Sequence, residues 1–295
     1  MLRITRDRIV YALDKTHPTV ATVEPGAEVL FETWDARTGT IRSERDLLDR
    51  PHPRGPNPAT GPICIRGAEP GDVLMVDILD IGLADQGYTG TRPGQGVLGS
   101  LITQHRTKLL DIVDGMIVFN DRIRFPVRPM VGVIGTAPAG DGVATLHPGP
   151  HGGNMDHNDV RVGARVHLPV FVPGALLAVG DVHASMGDGE LSGGGFDVPA
   201  EVTMRVGLRK GLRLRWPRIE RDGCVVTTSA HGDPLEAMRI AVEEMVGLLG
   251  EHLRLGRADA LMLLSVRGDV QVCTCHNHPQ AGHTMRVTFP KMWKE

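Results

Sequence analysis

Acids, histidines and glycines crowd the segment from His151 to Glu190 in two short clusters. The first is His151-Gly152-Gly153-Asn154-Met155-Asp156. The second is Gly180-Asp181-Val182-His183, followed by Gly187-Asp188-Gly189-Glu190. Neutral imidazole and carboxylate are the usual ligands of a catalytic zinc, and a further carboxylate can take a proton from the water that the metal activates. These residue types therefore point to metal-assisted hydrolysis. Glycine beside each candidate lets the backbone approach closely or take positive φ. His151, Asp156, Asp181 and His183 are the candidate metal ligands, and Glu190 is the candidate general base. Asp188 stands two residues before Glu190 and would share its side of an extended segment, so either could be the base. Asn154 is a candidate donor to the substrate amide or its oxyanion. The alternative for the whole segment is a turn-rich β-protein whose Asp and Gly only make turns.

The elements that must position these residues can be read from alternation and turn residues. Arg165 to Phe171 reads as a strand, Pro173-Gly174 as a turn and Ala175 to Val179 as a second apolar run, which together predict a hairpin. That hairpin would carry the two polar clusters to the same end. Asp181 and His183 would share a face, because strand side chains repeat every two residues. His167 falls on the outward phase of its strand. Further strands are expected over Ala27 to Thr33, Val73 to Ile81, Met130 to Ile134, Val202 to Leu208 and Leu212 to Trp216, each bounded by Gly, Pro or Asp. Pro51 to Pro62 reads as a long irregular loop able to cover a pocket.

The predicted fold class is mainly β: a jelly-roll or β-sandwich-like region over 1–216, with an α/β region over 217–295 packed against it. One long helix is expected in the second region. Asp233 can cap it, Pro234 suits its first position and Glu236 is placed as a capping-box partner. Leu235, Met238, Val242, Met245, Leu249 and Leu253 recur at spacings of three and four and predict its apolar face. Ala260 to Val266 reads as a short helix or strand, and Met285, Val287 and Phe289 alternate as a last strand.

Longer strings carry a resemblance. HGGNMD, LPVFVPGALLAVGDVHASMGDGE, RPMVGVIGTAP from Arg128 to Pro138 and NPATGPICIRGAEPGDVLMVDILDI from Asn57 to Ile81 together resemble the acetamidase/formamidase family, in the family's order. Phe31-Glu32-Thr33-Trp34-Asp35 resembles its N-terminal acidic element, which adds Glu32 and Asp35 as further candidate site acids. The resemblance implies a metal-dependent amidohydrolase that splits short aliphatic amides into carboxylate and ammonia on a mostly β fold. Family membership does not fix the substrate.

Composition narrows the partners. The net charge of −3 with no basic stripe, and only 4% aromatic residues, argue against nucleic acid. No apolar run reaches the length of a membrane span and the N-terminus lacks a signal-like apolar region, so a cytoplasmic protein is expected. Its partners are then a small-molecule amide and further copies of itself, as a homodimer or larger homo-oligomer. The expected cofactor is a divalent metal, zinc ahead of calcium, because imidazole is a poor ligand for calcium. Four cysteines make no disulfide framework. Cys273-Thr274-Cys275-His276-Asn277-His278 offers zinc donors but fits no common structural-zinc spacing, and two strand cysteines followed by a polar turn is the simpler reading. A covalent mechanism lacks its parts: lysine is absent from the acidic-glycine segment, and Ser185 would need a base from elsewhere. The alternative of another class is a non-catalytic jelly-roll module that binds carbohydrate or calcium.

Overall fold

The computed structural model describes residues 1–49, 54–275 and 282–293. Two large sheets pack face to face. A nine-stranded sheet runs in the order Leu2–Ile4, Glu28–Thr33, Ala200–Arg209, Val73–Leu83, Arg165–Pro169, Arg218–Arg221, Cys224–His231, His283–Pro290, Asp269–Thr274. A six-stranded sheet runs Gly152–Asn154, Met130–Gly135, Leu177–His183, Ala59–Ile65, Ile9–Val10, with Ala21–Val23 beside Ala59–Ile65. Between them lies one core, to which the first sheet gives Val29, Phe31, Val76, Val166 and Val202 and the second gives Ile63, Val131, Val179 and Val182. A four-stranded sheet carries Gln86–Thr91 at its edge. The molecule is mainly β, with its helices near the C-terminus, as expected.

The hairpin expected between Arg165 and Val179 does not form. Arg165–Pro169 pairs with Val73–Leu83 and Arg218–Arg221, whereas Leu177–His183 pairs with Met130–Gly135 and Ala59–Ile65 in the other sheet. Gly174, Ala175 and Leu176 take successive positive φ values of 79°, 59° and 61°, which turn the chain from one sheet into the other. The polar clusters meet through a different element: Met130–Gly135 pairs with both Gly152–Asn154 and Leu177–His183.

Other expectations need correction. Leu212 to Trp216 forms no strand, and the strand Ala59–Ile65 begins inside the segment expected to be loop. His167 is 3% exposed and sits 3.3 Å from Glu220, so the outer face of its strand is covered too. The nine-stranded sheet continues through position 216/217, since Arg218–Arg221 pairs with Arg165–Pro169.

Helix α1, Pro234–Leu253, is capped by Asp233, whose side chain accepts from the Leu235 N–H at 2.8 Å. The capping box is not closed: Glu236 binds Arg239, and the Asp233 N–H donates to His231 Nδ1. The buried residues are Ala237, Ala241, Met245, Val246, Leu248 and Leu249, with Val242 and Leu253 partly buried beside them, while Leu235 is 69% exposed. Alanines face the sheet because strand hydroxyls reach the helix backbone there, Thr227 Oγ1 to the Ala241 carbonyl and Ser229 Oγ to that of Ala237. A larger side chain would hold the helix away. The run at Ala260 is helical, α2 spanning Arg257–Arg267, and Met285, Val287 and Phe289 are buried on His283–Pro290 as expected. Among the described residues no helix is long and apolar enough to cross a membrane.

Candidate active site

Gly132 lies at the centre of the polar residues. On Met130–Gly135 it stands across from Asp181, between the paired positions Val131–Val182 and Val133–Gly180. A Cβ at Gly132 would meet Asp156 Oδ1 at 2.5 Å and Asp181 Oδ2 at 3.0 Å, so glycine is what gives the carboxylates room. Asp156, Asp181 and His183 are all buried, and a ligand atom from each lies within 4.8 Å of the others. Asp156, Asp181 and Glu190 adopt left-handed φ values of 45°, 52° and 45°. Acids held in that sparsely populated region need the surrounding structure to keep them there, and such strain gathers at functional sites.

Two asparagines hold the carboxylates apart and in place. Asn57 Nδ2 donates to Asp181 Oδ2 at 2.7 Å and to Asn154 Oδ1 at 3.0 Å, and Asn154 Nδ2 donates to Asp156 Oδ2 at 2.5 Å. Asp197 Oδ1 lies 3.1 Å from His183 Nε2. Asp156 Oδ1, Asp181 Oδ1 and His183 Nδ1 are buried with no hydrogen-bond partner among the described residues. Asp181 Oδ1 lies 3.7 Å from His183 Nε2. A buried carboxylate oxygen without a hydrogen bond is costly, and a cation beside it removes that cost.

The electrostatics agree. Burial, with Glu190 and Asp181 close by, pushes Asp156 well above the carboxylate range, and burial also raises Asp181. Burial works against a charged His183, yet Asp181 and Asp197 carry it well above the ordinary imidazole value. Each of these shifts reflects neighbouring negative charge or burial that the site does not offset. Burial likewise raises Asp35 to about 6, against hydrogen bonds from the Gly39 and Arg37 N–H groups. Burial and then Asp197 keep the Tyr88 phenol protonated well above its usual value.

A cavity of about 110 Å³ opens onto these groups, lined by Asn57, Tyr88, Asn154, Asp181, His183, Glu190 and Asp197, with Arg37 and Arg92 on its outer wall. Clefts that take drug-sized ligands run to roughly 300–1,000 Å³, so a much smaller ligand is indicated.

The remaining sequence candidates are distributed unevenly. Asp188 is turned away from the cavity to Arg286 and Asn158. His151 is buried beside Gly149 and Gly153, outside the three-residue group, and burial lowers it to about 4. Glu32 is engaged by Arg3 and Arg6 away from the cavity wall. His157, beside Asp156 in sequence, is 1% exposed. Burial pushes the Cys273 thiol up to about 12. His276 and His278, the other part of that metal hypothesis, lie outside the described residues.

Sequence reasoning missed Asn57, Tyr88 and Asp197. Asn57 sits between prolines in a segment that reads as loop, and Asp197 follows three glycines without a ligand-like spacing. Only pairing across strands brings them in.

Residues 13–141 and 139–222 match the acetamidase/formamidase family. The chain is 30% identical over 279 residues to an acetamidase of Mycolicibacterium smegmatis, covering 70% of this chain and 68% of that protein. The chain belongs to the acetamidase/formamidase family. It is 27% identical to a formamidase of Methylophilus methylotrophus, covering 65% of this chain and 62% of that protein. The crystal structure of an acetamidase from Bacillus halodurans superposes with a TM-score of 0.93 at 36% identity, covering 98% of this chain and 97% of the other. Membership makes this chain an amidohydrolase of linear amides, and the purely binding alternative gives way to it.

Proposed function

We propose that the chain hydrolyses short aliphatic amides, of the acetamide and formamide class, to carboxylate and ammonia with a divalent metal held by Asp156, Asp181 and His183. One observation carries the metal: a ligand atom from each of these three buried residues lies within 4.8 Å of the others, and Asp156 Oδ1 and Asp181 Oδ1 have no hydrogen-bond partner among the described residues. Two carboxylates and an imidazole suit zinc, whereas calcium prefers six to eight oxygens. When bound, the metal supplies Lewis-acid polarisation and acidifies water.

The protein's own residues supply the rest. Asn57 and Asn154 fix the carboxylate orientation. Glu190, 7% exposed on the same cavity wall, takes the proton from the attacking water and passes it to the departing nitrogen. The small cavity limits the acyl group to a few carbons. We also infer a cytoplasmic protein and a homodimer or larger homo-oligomer. The edge strand Asp269–Thr274 and the exposed Leu261, Met262 and Val266 of α2 support association.

The deciding experiment is ammonia release from formamide, acetamide, propionamide, hexanamide and benzamide, before and after chelation and with zinc or calcium restored. Turnover of the shortest amides that chelator abolishes and zinc restores is expected. Turnover of none of them by metal-replete protein would overturn the amide reading, and full turnover after chelation would overturn the metal.

A further inference from the structure

The buried hydroxyl of Tyr88 has no role in holding the fold. Tyr88 is 2% exposed on the cavity wall, and its hydroxyl has no hydrogen-bond partner among the described residues. Its position is nevertheless tightly set. The Tyr88 N–H donates to the Asp197 carbonyl at 3.0 Å, and the Tyr88 carbonyl accepts from the Asp197 N–H at 2.9 Å. Asp197 in turn bridges to His183, so Asp197 stands between Tyr88 and His183 through two isolated β-bridges. Gly87 makes that approach possible, because a Cβ there would lie 2.2 Å from the Asp197 carbonyl oxygen. The backbone thus spends its pairing on bringing a phenol beside a metal-ligand candidate.

We propose that the Tyr88 hydroxyl donates a hydrogen bond to the substrate's carbonyl oxygen and to the oxyanion that develops from it. This rests on the amidase reading above. The other amides on the wall are committed: Asn57 donates to Asp181 and Asn154, and Asn154 to Asp156. Water adds to the carbonyl carbon, the π pair moves onto oxygen, and Tyr88 stabilises that charge without giving up its proton. Collapse re-forms the C=O bond and breaks the C–N bond, and the nitrogen leaves as ammonia with the proton passed on by Glu190. A donor already in place before charge develops needs no reorganisation during the reaction, which is why such donors matter more to the transition state than to binding.

Tyr88→Phe in the full, zinc-loaded chain tests this, since it removes one oxygen and little else. Expected is a fall of roughly 10²–10³-fold in kcat/KM, carried by kcat, for the best amide substrate. Metal content should be unchanged and the melting temperature unchanged or higher, because an unpaired buried hydroxyl has been deleted. An active wild type with an equally active variant overturns the role alone, as does a rise in KM with kcat intact. Loss of metal or a lower melting temperature alongside the lost activity would make Tyr88 structural and overturn it too. A wild type inactive on every amide overturns the amidase reading and this role with it.

Discussion

Arg286 grips both carboxylate oxygens of Asp188, at 2.9 Å and 2.7 Å, from the strand His283–Pro290. Two residues later the chain reaches Glu190. The loop between is tied down again, the Gly189 N–H donating to the Cys273 carbonyl and the Cys275 N–H to that of Gly189, both at 2.9 Å. The C-terminal strands therefore hold the segment that presents the candidate base to the cavity.

Arg286 is 4% exposed, so removing it leaves Asp188 and the buried Asp159 short of positive charge. Arg286→Met should cost on the order of 3 kcal/mol, the lower end for a broken buried ion pair, because Asp188 retains some solvent. Arg286→Lys should recover only part, since an ammonium cannot reproduce the two-pronged contact. Chemical denaturation of the three proteins measures this directly. Equal stability of all three would mean that the pair contributes nothing.

Asp156→Ala and His183→Ala should each lose bound metal and turnover together while the sandwich persists, because neither side chain belongs to the apolar core between the sheets. Metal analysis, circular dichroism and ammonia release on one preparation check all three statements. Stoichiometric metal and normal turnover in both variants would refute the ligand assignment.

Gly132→Ala places a methyl group 2.5 Å from Asp156 Oδ1 and 2.7 Å from the Asp181 carbonyl oxygen, neither able to move without disturbing a left-handed residue. The expected result is weaker metal binding and a loss of about 1–3 kcal/mol in stability, as for other overpacked sites. Titration with zinc and thermal melting read the two effects. A variant that binds metal as tightly as wild type would show that the gap is not needed.

What was legible in the sequence, and what was not, follows from the range of each signal. Asp156, Asp181, His183 and Glu190 were readable because they sit in glycine-flanked clusters whose composition is unusual at short range. Alternation gave Val73–Leu83, whose residues differ in exposure along the strand, and a short apolar run gave Met130–Gly135, which is buried throughout. The false hairpin arose because a Pro-Gly turn between two apolar runs looks the same whether the chain doubles back or crosses to a second sheet. The face of α1 was read in part: Val242, Met245, Leu249 and Leu253 pack against the C-terminal core as expected. Alanine carries little hydrophobic signal, so Ala237 and Ala241, whose carbonyls accept from the strand hydroxyls, were missed and the exposed Leu235 was included. Asn57 and Asp197 reach the site through pairings across 124 and 14 positions, for which local pattern has no term.

Glu220 supplies a pH prediction. His167 Nε2, 3.3 Å away, and the hydrogen bond from Lys291 hold its carboxyl down at about 2 against the opposing effect of burial. Because the folded value lies below the unfolded value of 4.5, its contribution is complete above pH 4.5 and is lost as pH falls toward 2. With 23% of the side chain still exposed, screening reduces the effect to about 1–2 kcal/mol. Glu220→Gln should therefore be less stable than wild type at pH 6, with the difference closing between pH 5 and pH 2. Urea unfolding across that range measures it, and a pH-independent difference would assign the loss to packing.

The last prediction separates Glu190 from Asp188. Glu190 lines the cavity with Asp181 and His183, whereas Asp188 faces Arg286. A base must reach the water whose proton it takes, within about 3 Å or through one further water. Only Glu190 is placed to do so. Glu190→Gln is nearly isosteric and should keep the metal while turnover falls roughly 10²–10⁴-fold, the usual worth of a general acid–base residue. Asp188→Asn should lose far less turnover and show its effect first in stability, because its partner is structural. Metal content, melting temperature and kcat measured on both variants decide the matter. Normal turnover in Glu190→Gln would remove it from the chemistry, and loss of metal from that variant would make Glu190 a ligand instead of a base.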